Sequence, residues 1–244
     1  AEENNLLVME DAAQGLGVFN AACIAPMNVQ HVGTFGDAGI IAFFADKNII
    51  MGEGGVVLTN NESTYNKLLY LRNQGRLSSG RFVHEQLGMN FKITDMQCAV
   101  GFAQMERLDK ITRRRSMVYN WYRKYLADEI ADDSVKLMDV PKSNHIPLRC
   151  PILVKNRKAV QEYLENHGIQ TREMSLPLHR NPCWKHLGYK ESDFPNTNMV
   201  YESGILLPIH TKLTTFDVEF VCAKIKEAIK KLDMNGYCLA HPVS

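Results

Sequence analysis

The sequence contains few cysteines, and their arrangement supports neither a disulfide scaffold nor a metal site. Its six cysteines are scattered over 244 residues and form no Cys-x-x-Cys pair. Small disulfide-stapled domains have many closely spaced cysteines, and zinc sites need ligands at short, regular spacings. The histidines form neither a His-x-His nor a His-Glu-x-x-His motif. We therefore expect no metal, and the cysteine usage predicts a reducing, cytoplasmic setting.

The sequence also lacks a long apolar run and an excess of either charge sign. Lys and Arg total 28 against 27 Asp and Glu, so the net charge is +1, and neither nucleic acid nor a membrane surface is an expected partner. No stretch approaches the roughly 18 apolar residues that a transmembrane helix needs. The polar residues 1–5 do not resemble a signal peptide. Because an apolar run follows them at once, we expect a piece of a longer protein.

Three short apolar runs are typical of buried strands in an open α/β sheet, and the overall composition is 45% hydrophobic. The runs are residues 6–9, 39–45 and 56–59. Asp11 follows the first run and Lys47 the second. Ligands of such sheets bind at the carboxyl ends of the strands, so these two side chains are the first candidates for a functional site.

Helical periodicity and capping residues predict four helical regions. They are residues 62–72, one long helix or two consecutive helices starting at Thr94, residues 157–166, and residues 214–232. We place a domain boundary within the second region. Residues 1–112 are then part of a large domain with a mostly parallel sheet, and residues 113–244 form a smaller α+β domain.

A lysine and an aspartate at one edge of a sheet suit a particular chemistry. A lysine amine forms a Schiff base with an aldehyde when burial or nearby positive charge favours its neutral form. An aspartate in the same crevice would keep a pyridine nitrogen protonated, so that the ring withdraws electrons. At about 4 Å and an effective dielectric constant of about 20, this attraction is roughly 4 kcal/mol before desolvation. Each residue alone also has an ordinary structural explanation.

Several sequence motifs support a functional role for Lys47 and Asp11. Near the pair they are VMEDAAQ at residues 8–14, VGTFGD at 32–37, FFADKN at 43–48 and GEGG at 52–55. Further along they are RNQG at 72–75, LGMNFK at 87–92, LPLH at 176–179 and LLP at 206–208. In this order they closely resemble the DegT/DnrJ/StrS family of sugar-nucleotide aminotransferases, over nearly the whole chain.

The resemblance implies a transferase of fold type I that uses pyridoxal 5'-phosphate. It implies that Lys47 binds the cofactor covalently and moves a proton, and that Asp11 pairs with the ring nitrogen. Gln14 would contact the ring near its phenolic oxygen. Asn90 corresponds to an asparagine that reaches the cofactor phosphate of the neighbouring subunit, and His179 to a histidine near the sugar-nucleotide site.

The implied reaction moves an amino group from L-glutamate to a keto-sugar nucleotide, for the synthesis of cell-surface polysaccharide or glycan. The Gly-Glu-Gly-Gly turn favours members that act at sugar C4, such as perosamine synthases, over C3 enzymes. A cytoplasmic homodimer with shared active sites is implied, because Asn90 would serve the neighbouring subunit.

Three departures from the family pattern keep two alternatives open. Ala42 replaces a serine that binds the cofactor phosphate, and Lys92 replaces an arginine whose bidentate fork lysine cannot reproduce. The helix start that cradles the phosphate, which precedes the aspartate strand in the family, is not in this sequence. One alternative is therefore an inactive, truncated remnant. The other, a cofactor-dependent sugar dehydratase, is opposed by Lys47, because such dehydratases usually carry histidine there.

Overall fold

A computed structural model describes residues 1–20, 30–77, 80, 82–138 and 145–234. The described residues form two compact units. The first unit lies within Ala1–Arg113 and Pro141–Leu148, and the second within Arg114–Val140 and Arg149–Ser244. The assignment of residues 1–112 and 113–244 to a large and a small domain stays a prediction.

The first unit contains a three-stranded sheet and a two-stranded ribbon. Their strands are β1 (Met9–Asp11), β2 (Phe19–Asn20), β3 (Gln30–His31), β4 (Ala38–Ala42) and β5 (Gly55–Leu58). The sheet has the order β1-β4-β5, and β2 pairs with β3. β1 and β4 are parallel, whereas β4 and β5 are antiparallel. The predicted α/β class is confirmed. β5 runs antiparallel because its short connection to β4 contains no crossover helix.

The apolar runs at residues 6–9 and 56–59 are more exposed than predicted. Leu7 is 88% and Met9 79% exposed, and the central residues of β5, Val56 and Val57, are 41% and 46% exposed. Among the three strands of this sheet, β4 alone alternates between buried and half-buried residues. The prediction that the two outer runs are buried on both faces is wrong, because β1 and β5 form the edges of the sheet and the described chain leaves them largely uncovered.

The helices of the first unit begin where their capping residues predict. They are α1 (Glu62–Arg72) and α2 (Asp95–Met105), followed by α3 (Leu108–Tyr125), which continues into the second unit. Thr94 and Gln97 form a capping box at the start of α2, with each side chain bonded to the backbone of the other. The predicted start at Thr94 is confirmed. The long region that follows is two helices, interrupted between Met105 and Leu108.

The second unit contains a four-stranded antiparallel sheet of order β6-β7-β9-β8. Its strands are β6 (Val135–Leu137), β7 (Cys150–Val154), β8 (Arg172–Glu173) and β9 (Gly204–Leu207). Its helices beyond α3 are α4 (Ala127–Ala131), α5 (Arg157–Asn166), α6 (Pro195–Ser203) and α7 (Thr215–Met234). Three 3-10 turns, Leu178–Arg180, Pro182–Leu187 and Glu191–Asp193, lie between β8 and α6.

The second unit buries a continuous apolar core between this sheet and its helices. Tyr122 of α3, Ile152 of β7, Leu164 of α5 and Ile225 of α7 are all fully buried in it. The Tyr122 hydroxyl donates to the carbonyl of Pro208 at 2.9 Å, which satisfies the one polar atom of that side chain. None of the described helices has both the length and the apolar content needed to cross a membrane.

One glycine of the first unit allows two loop segments to approach closely. Gly75 follows α1 with a φ of 79°, and its carbonyl accepts from the N–H groups of Glu85 and Gln86. A Cβ at Gly75 would lie 1.6 Å from the carbonyl oxygen of Gln86. Gly52 has a similar φ of 83°, but a Cβ there would meet nothing within 4 Å.

We expect Gly75→Ala to destabilise the first unit more than Gly52→Ala does. Both changes impose the left-handed conformation on alanine, which costs about 1–2 kcal/mol. Only Gly75→Ala adds a backbone clash, for which we expect about 1–3 kcal/mol more. Urea unfolding of both variants measures the difference. Equal losses would show that the loop moves aside without cost.

Candidate active site

Parallel pairing brings the segment after β1 beside the segment after β4. Asp11, the last residue of β1, is opposite Ile40. Beyond the strands, the Ala42 N–H lies 3.4 Å from the carbonyl oxygen of Ala13. The carboxyl ends of both strands therefore meet at one edge of the sheet, as the sequence predicts. Asp11 and the chain leading to Lys47 both leave the sheet at that edge.

The loop that carries Lys47 is closed by backbone hydrogen bonds. The Phe43 N–H donates to Gly54 at 2.8 Å, and its carbonyl accepts from Met51 at 2.9 Å. The Lys47 N–H donates to the carbonyl of Phe44 at 3.0 Å. These bonds fix a tight turn, so the position of the Lys47 side chain follows from the end of β4.

The Lys47 amine is largely shielded and lies close to a carboxylate. Its side chain is 17% exposed, and Nζ lies 3.3 Å from Oδ1 of Asp46. The amine and the Asp46 carboxylate therefore form an ion pair within the loop.

Lys47 lines a small pocket, the Lys47 pocket, in the first unit. Its lining residues are Ala13, Gln14, Leu16, Ala42, Lys47, Asn48, Ile49 and Leu148. It encloses about 220 Å³ of empty space, part of which is open solvent. The Lys47 pocket is therefore a shallow, partly open depression that brings these side chains together.

The structure brings Gln14 into the Lys47 pocket and places Asp11 just before it. Asp11 is exposed and does not line the pocket itself. Its Oδ1 accepts from the N–H of Ala13 at 3.1 Å. Within the described residues, Oδ2 makes no hydrogen bond. One carboxylate oxygen thus orders the turn after β1, and the other can accept a bond from a ligand.

Glu10, which the sequence analysis passed over, holds the loop that leads into β4. Its carboxylate accepts from the backbone N–H groups of Gly33, Phe35 and Gly36. Burial raises the pKa of Glu10, but these three bonds outweigh it and leave the pKa below its ordinary value of 4.5. No local pattern marks Glu10, because the loop that it bonds lies 23 to 26 positions further along the chain.

The glycine-rich turn after the lysine is attached to the start of α2. The Gln97 side chain donates to the carbonyl of Glu53 at 3.2 Å. On the next turn of α2, a Cβ at Gly101 would lie 2.9 Å from the end of the Met51 side chain. Met51 therefore packs against Gly101, a contact between residues 50 positions apart that local sequence patterns do not reveal.

Asn90 lies on an exposed segment that pairs with the end of α1. Asn73 and Asn90 form an isolated antiparallel bridge, and the N–H of Met89 donates to Leu71 at 2.7 Å. The Phe91 N–H donates to Arg72 at 3.0 Å. Asn90 itself is exposed and does not line the Lys47 pocket. Its predicted role in a neighbouring subunit stays a prediction.

His179 belongs to the second unit, where it is packed. Its side chain is 6% exposed and its ring stacks on Phe194, with centroids 4.7 Å apart. Nε2 lies 3.6 Å from a carboxylate oxygen of Glu191, too far for a hydrogen bond but within ion-pair range if the imidazole is protonated. Bonds from Arg180 hold the pKa of that carboxyl below its usual range. The predicted contact of His179 with a sugar nucleotide stays a prediction.

This architecture is the fold of the aminotransferases that use pyridoxal phosphate. A Helicobacter pylori aminotransferase, PseC, which is involved in pseudoaminic acid biosynthesis, has a TM-score of 0.82 over 94% of this chain and 61% of its own, at 22% identity. A Streptococcus pneumoniae chain solved in PLP and PMP forms has a TM-score of 0.80 with each form at 21% identity, over 93% of this chain and 58–60% of its own.

Residues 1–226 match the model of the DegT/DnrJ/EryC1/StrS aminotransferase family, and the chain belongs to that family. Among curated proteins, GDP-perosamine synthase from Vibrio cholerae is 32% identical over 228 residues, which are 92% of this chain and 60% of that enzyme. The chain spans about 60% of the length of the curated relatives it matches. The resemblance read from the motifs is confirmed.

We expect Glu10→Gln to destabilise the first unit by about 1–3 kcal/mol at neutral pH, because it weakens bonds from three N–H groups to a charged acceptor. The folded pKa is lowered, so this stabilisation is complete above about pH 4.5 and is lost as the pH falls through the folded pKa. Urea unfolding from pH 7 to pH 3 should show the two proteins converging in acid.

The matched control is Glu53→Gln, since only the backbone carbonyl of Glu53 accepts a hydrogen bond, and its side chain makes no hydrogen bond or ion pair in the described part of the chain. Its unfolding free energy should follow that of the unchanged protein at every pH. A Glu10→Gln deficit that stays constant down to pH 3 would contradict the assigned role of the carboxylate.

Proposed function

We propose that this chain is the lysine-bearing part of a pyridoxal-phosphate-dependent aminotransferase that acts on a keto-sugar nucleotide. One observation carries the proposal. Lys47 and Gln14 line the same pocket, at the sheet edge where Asp11 presents an unbonded carboxylate oxygen. Membership of the aminotransferase family supports the same conclusion.

The residues present suit this cofactor. The Lys47 amine would bind its aldehyde carbon, and the Asp11 carboxylate would accept the proton of its ring nitrogen. The Gln14 amide would contact the ring near the phenolic oxygen. Position 42 contributes only a methyl group to the pocket, so the phosphate must find its hydrogen bonds elsewhere.

The chemistry divides between the cofactor and the protein. Bound pyridoxal phosphate supplies an electron sink that acidifies the carbon carrying the amino group. The Lys47 amine, once free of the cofactor, would take the proton from that carbon as general base and deliver it in the next step as general acid. Asp11 holds the proton on the ring nitrogen throughout. The turn around Phe43 keeps Lys47 in place between the two halves of the reaction.

The proposed substrates are L-glutamate as amino donor and a nucleotide-linked 4-keto-6-deoxy sugar as acceptor. The Vibrio cholerae relative is named a GDP-perosamine synthase, and the Gly-Glu-Gly-Gly turn at residues 52–55 supports action at sugar C4. The product would serve cell-surface polysaccharide or glycan synthesis in the cytoplasm.

A homodimer with shared active sites is part of the proposal. Around the exposed Asn90 and along α2, large apolar side chains are open to solvent: Leu87 is 94%, Phe91 71%, Met96 80% and Phe102 68% exposed. Several large apolar side chains exposed on neighbouring segments favour a surface that a partner covers. A second copy that covers it would bring Asn90 to the neighbouring site.

A folded remnant without activity is the second candidate, and one observation favours it. The methyl group of Ala42 lines the Lys47 pocket and cannot donate to a phosphate. Loss of one charge-assisted hydrogen bond weakens binding by about tenfold or more. Adding pyridoxal phosphate to the purified chain separates the two candidates.

Adding pyridoxal phosphate should give a visible absorption band and, after borohydride reduction, a permanent adduct on Lys47. Lys47→Ala should lose both, because no other amine lines the pocket in the described chain. Lys67→Ala, which removes an exposed lysine of α1, should keep both. An adduct that survives in Lys47→Ala, or no adduct in the unchanged protein, would contradict the proposal.

Steady-state kinetics with L-glutamate and a keto-sugar nucleotide should give parallel double-reciprocal lines, because the first product leaves before the second substrate binds. Asp11→Asn should reduce the rate at least about a hundredfold, since the ring nitrogen loses its charged partner. Initial rates measured over a grid of both substrates test the pattern. Intersecting lines would rule out this order of events.

A further inference from the structure

Asn48, the residue after Lys47, is a buried amide that bonds nothing in the described chain. It is only 9% exposed, lines the Lys47 pocket, and has an Oδ1 that is shielded from solvent without a hydrogen-bond partner. Its nitrogen also makes no hydrogen bond to any described residue. Of the other residues that line the pocket, five are apolar, and the two polar ones, Gln14 and Lys47, do not bond it.

A buried polar group without a partner is costly, so its presence calls for an explanation. More than nine in ten such groups in folded proteins are bonded, and leaving one unbonded costs about 1–3 kcal/mol. Exceptions to local consistency occur at functional sites. Asn48 lines the Lys47 pocket, beside the lysine with which the ligand is proposed to react. A bound ligand would supply the hydrogen-bond partner that the described chain does not provide.

The charge of the pocket selects the ligand group. Lys47 brings a positive charge, and its counter-charge, Asp46, does not line the pocket. An amide donates through its nitrogen, and a half turn about its last side-chain bond exchanges oxygen and nitrogen. A group beside a lysine that accepts from an amide is best an anionic oxygen.

We propose that the Asn48 side-chain amide is a ligand-binding group of the Lys47 pocket and donates a hydrogen bond to an anionic oxygen of the bound ligand. The inference rests on the proposed function and adds a residue to it. Three groups of the proposed ligands carry such an oxygen: the cofactor phosphate, the phenolic oxygen of the cofactor ring, and the carboxylate of the amino donor. Ala42 cannot bond any of them, so Asn48 supplies polar contact that position 42 lacks.

Two substitutions test the donor. Asn48→Leu keeps the shape of the amide without its polarity, and Asn48→Asp replaces the donor by a negative acceptor. Asn48→Leu should weaken binding of the affected ligand about ten- to a hundredfold, and Asn48→Asp should weaken it further by repulsion. Absorbance titration measures the dissociation constants, and borohydride adducts on Lys47 at saturating cofactor confirm that the site still forms.

The matched control is Thr171→Val in the second unit. Thr171 is 8% exposed and its Oγ1 is also buried without a partner, but it does not line the Lys47 pocket. Without ligand, Asn48→Leu and Thr171→Val should each leave the melting temperature unchanged or raise it, because each removes an unbonded polar atom. Only Asn48→Leu should change ligand affinity.

Titration with pyridoxal phosphate and with pyridoxal, which lacks the phosphate, identifies the oxygen. A loss for pyridoxal phosphate alone supports the phosphate, and equal losses for both support the phenolic oxygen. A raised KM for L-glutamate with unchanged cofactor affinity supports the carboxylate.

Two results would overturn the inference while the proposed function stands. The first is an adduct on Lys47 with unchanged affinities and KM in Asn48→Leu. The second is binding by Asn48→Asp as tight as in the unchanged protein, which would show that the ligand donates to this side chain. Absence of any adduct in the unchanged protein would instead overturn the proposed function, and the inference with it.

Discussion

The candidate site depends on the hydrogen bonds that the Glu10 carboxylate accepts from the loop before β4. Glu10 bonds three backbone N–H groups in the segment that leads into β4, and so it helps to fix β4 beside β1. Lys47 follows β4 through a turn closed at Phe43. Asp11, the residue after Glu10, points the other way because successive side chains of a strand alternate. Glu10 therefore orders the loop before β4, and the adjacent Asp11 presents an unbonded carboxylate oxygen at the edge of the sheet.

The sequence predicted the parts of the fold that depend on local signals. Thr94, Asn61 and Thr214 each start a helix through bonds within a few residues, and such bonds can be read from spacing alone. It could not predict the exposure of Leu7 or Val57, because an apolar run shows what a strand can bury and not what covers it. The antiparallel direction of β5 depends on the path of the connecting turn, which apolar patterning does not encode.

The same distinction holds for the site. Lys47 and Asp11 were predicted because their strands end in polar residues, and the motifs around them identify the family. Glu10 and Gln97 were missed because their hydrogen bonds join distant segments: Gln97 bonds Glu53 across 44 positions. Asn48 belongs to no sequence pattern that would indicate a buried side chain. Only its burial, with no partner for its amide, distinguishes it from a solvated turn residue.

Several polar groups of the first unit lack a protein partner, and several of its apolar side chains are exposed. Oδ2 of Asp11 and the Asn48 amide lack bonds within the described chain, and the apolar side chains near Asn90 are exposed. Each can make contacts with a bound partner that the described chain does not provide. A ligand that binds the folded state alone stabilises it in proportion to the logarithm of its concentration. The proposed cofactor, substrate and second subunit should therefore stabilise this unit together, because each would cover part of the surface that the described residues leave open.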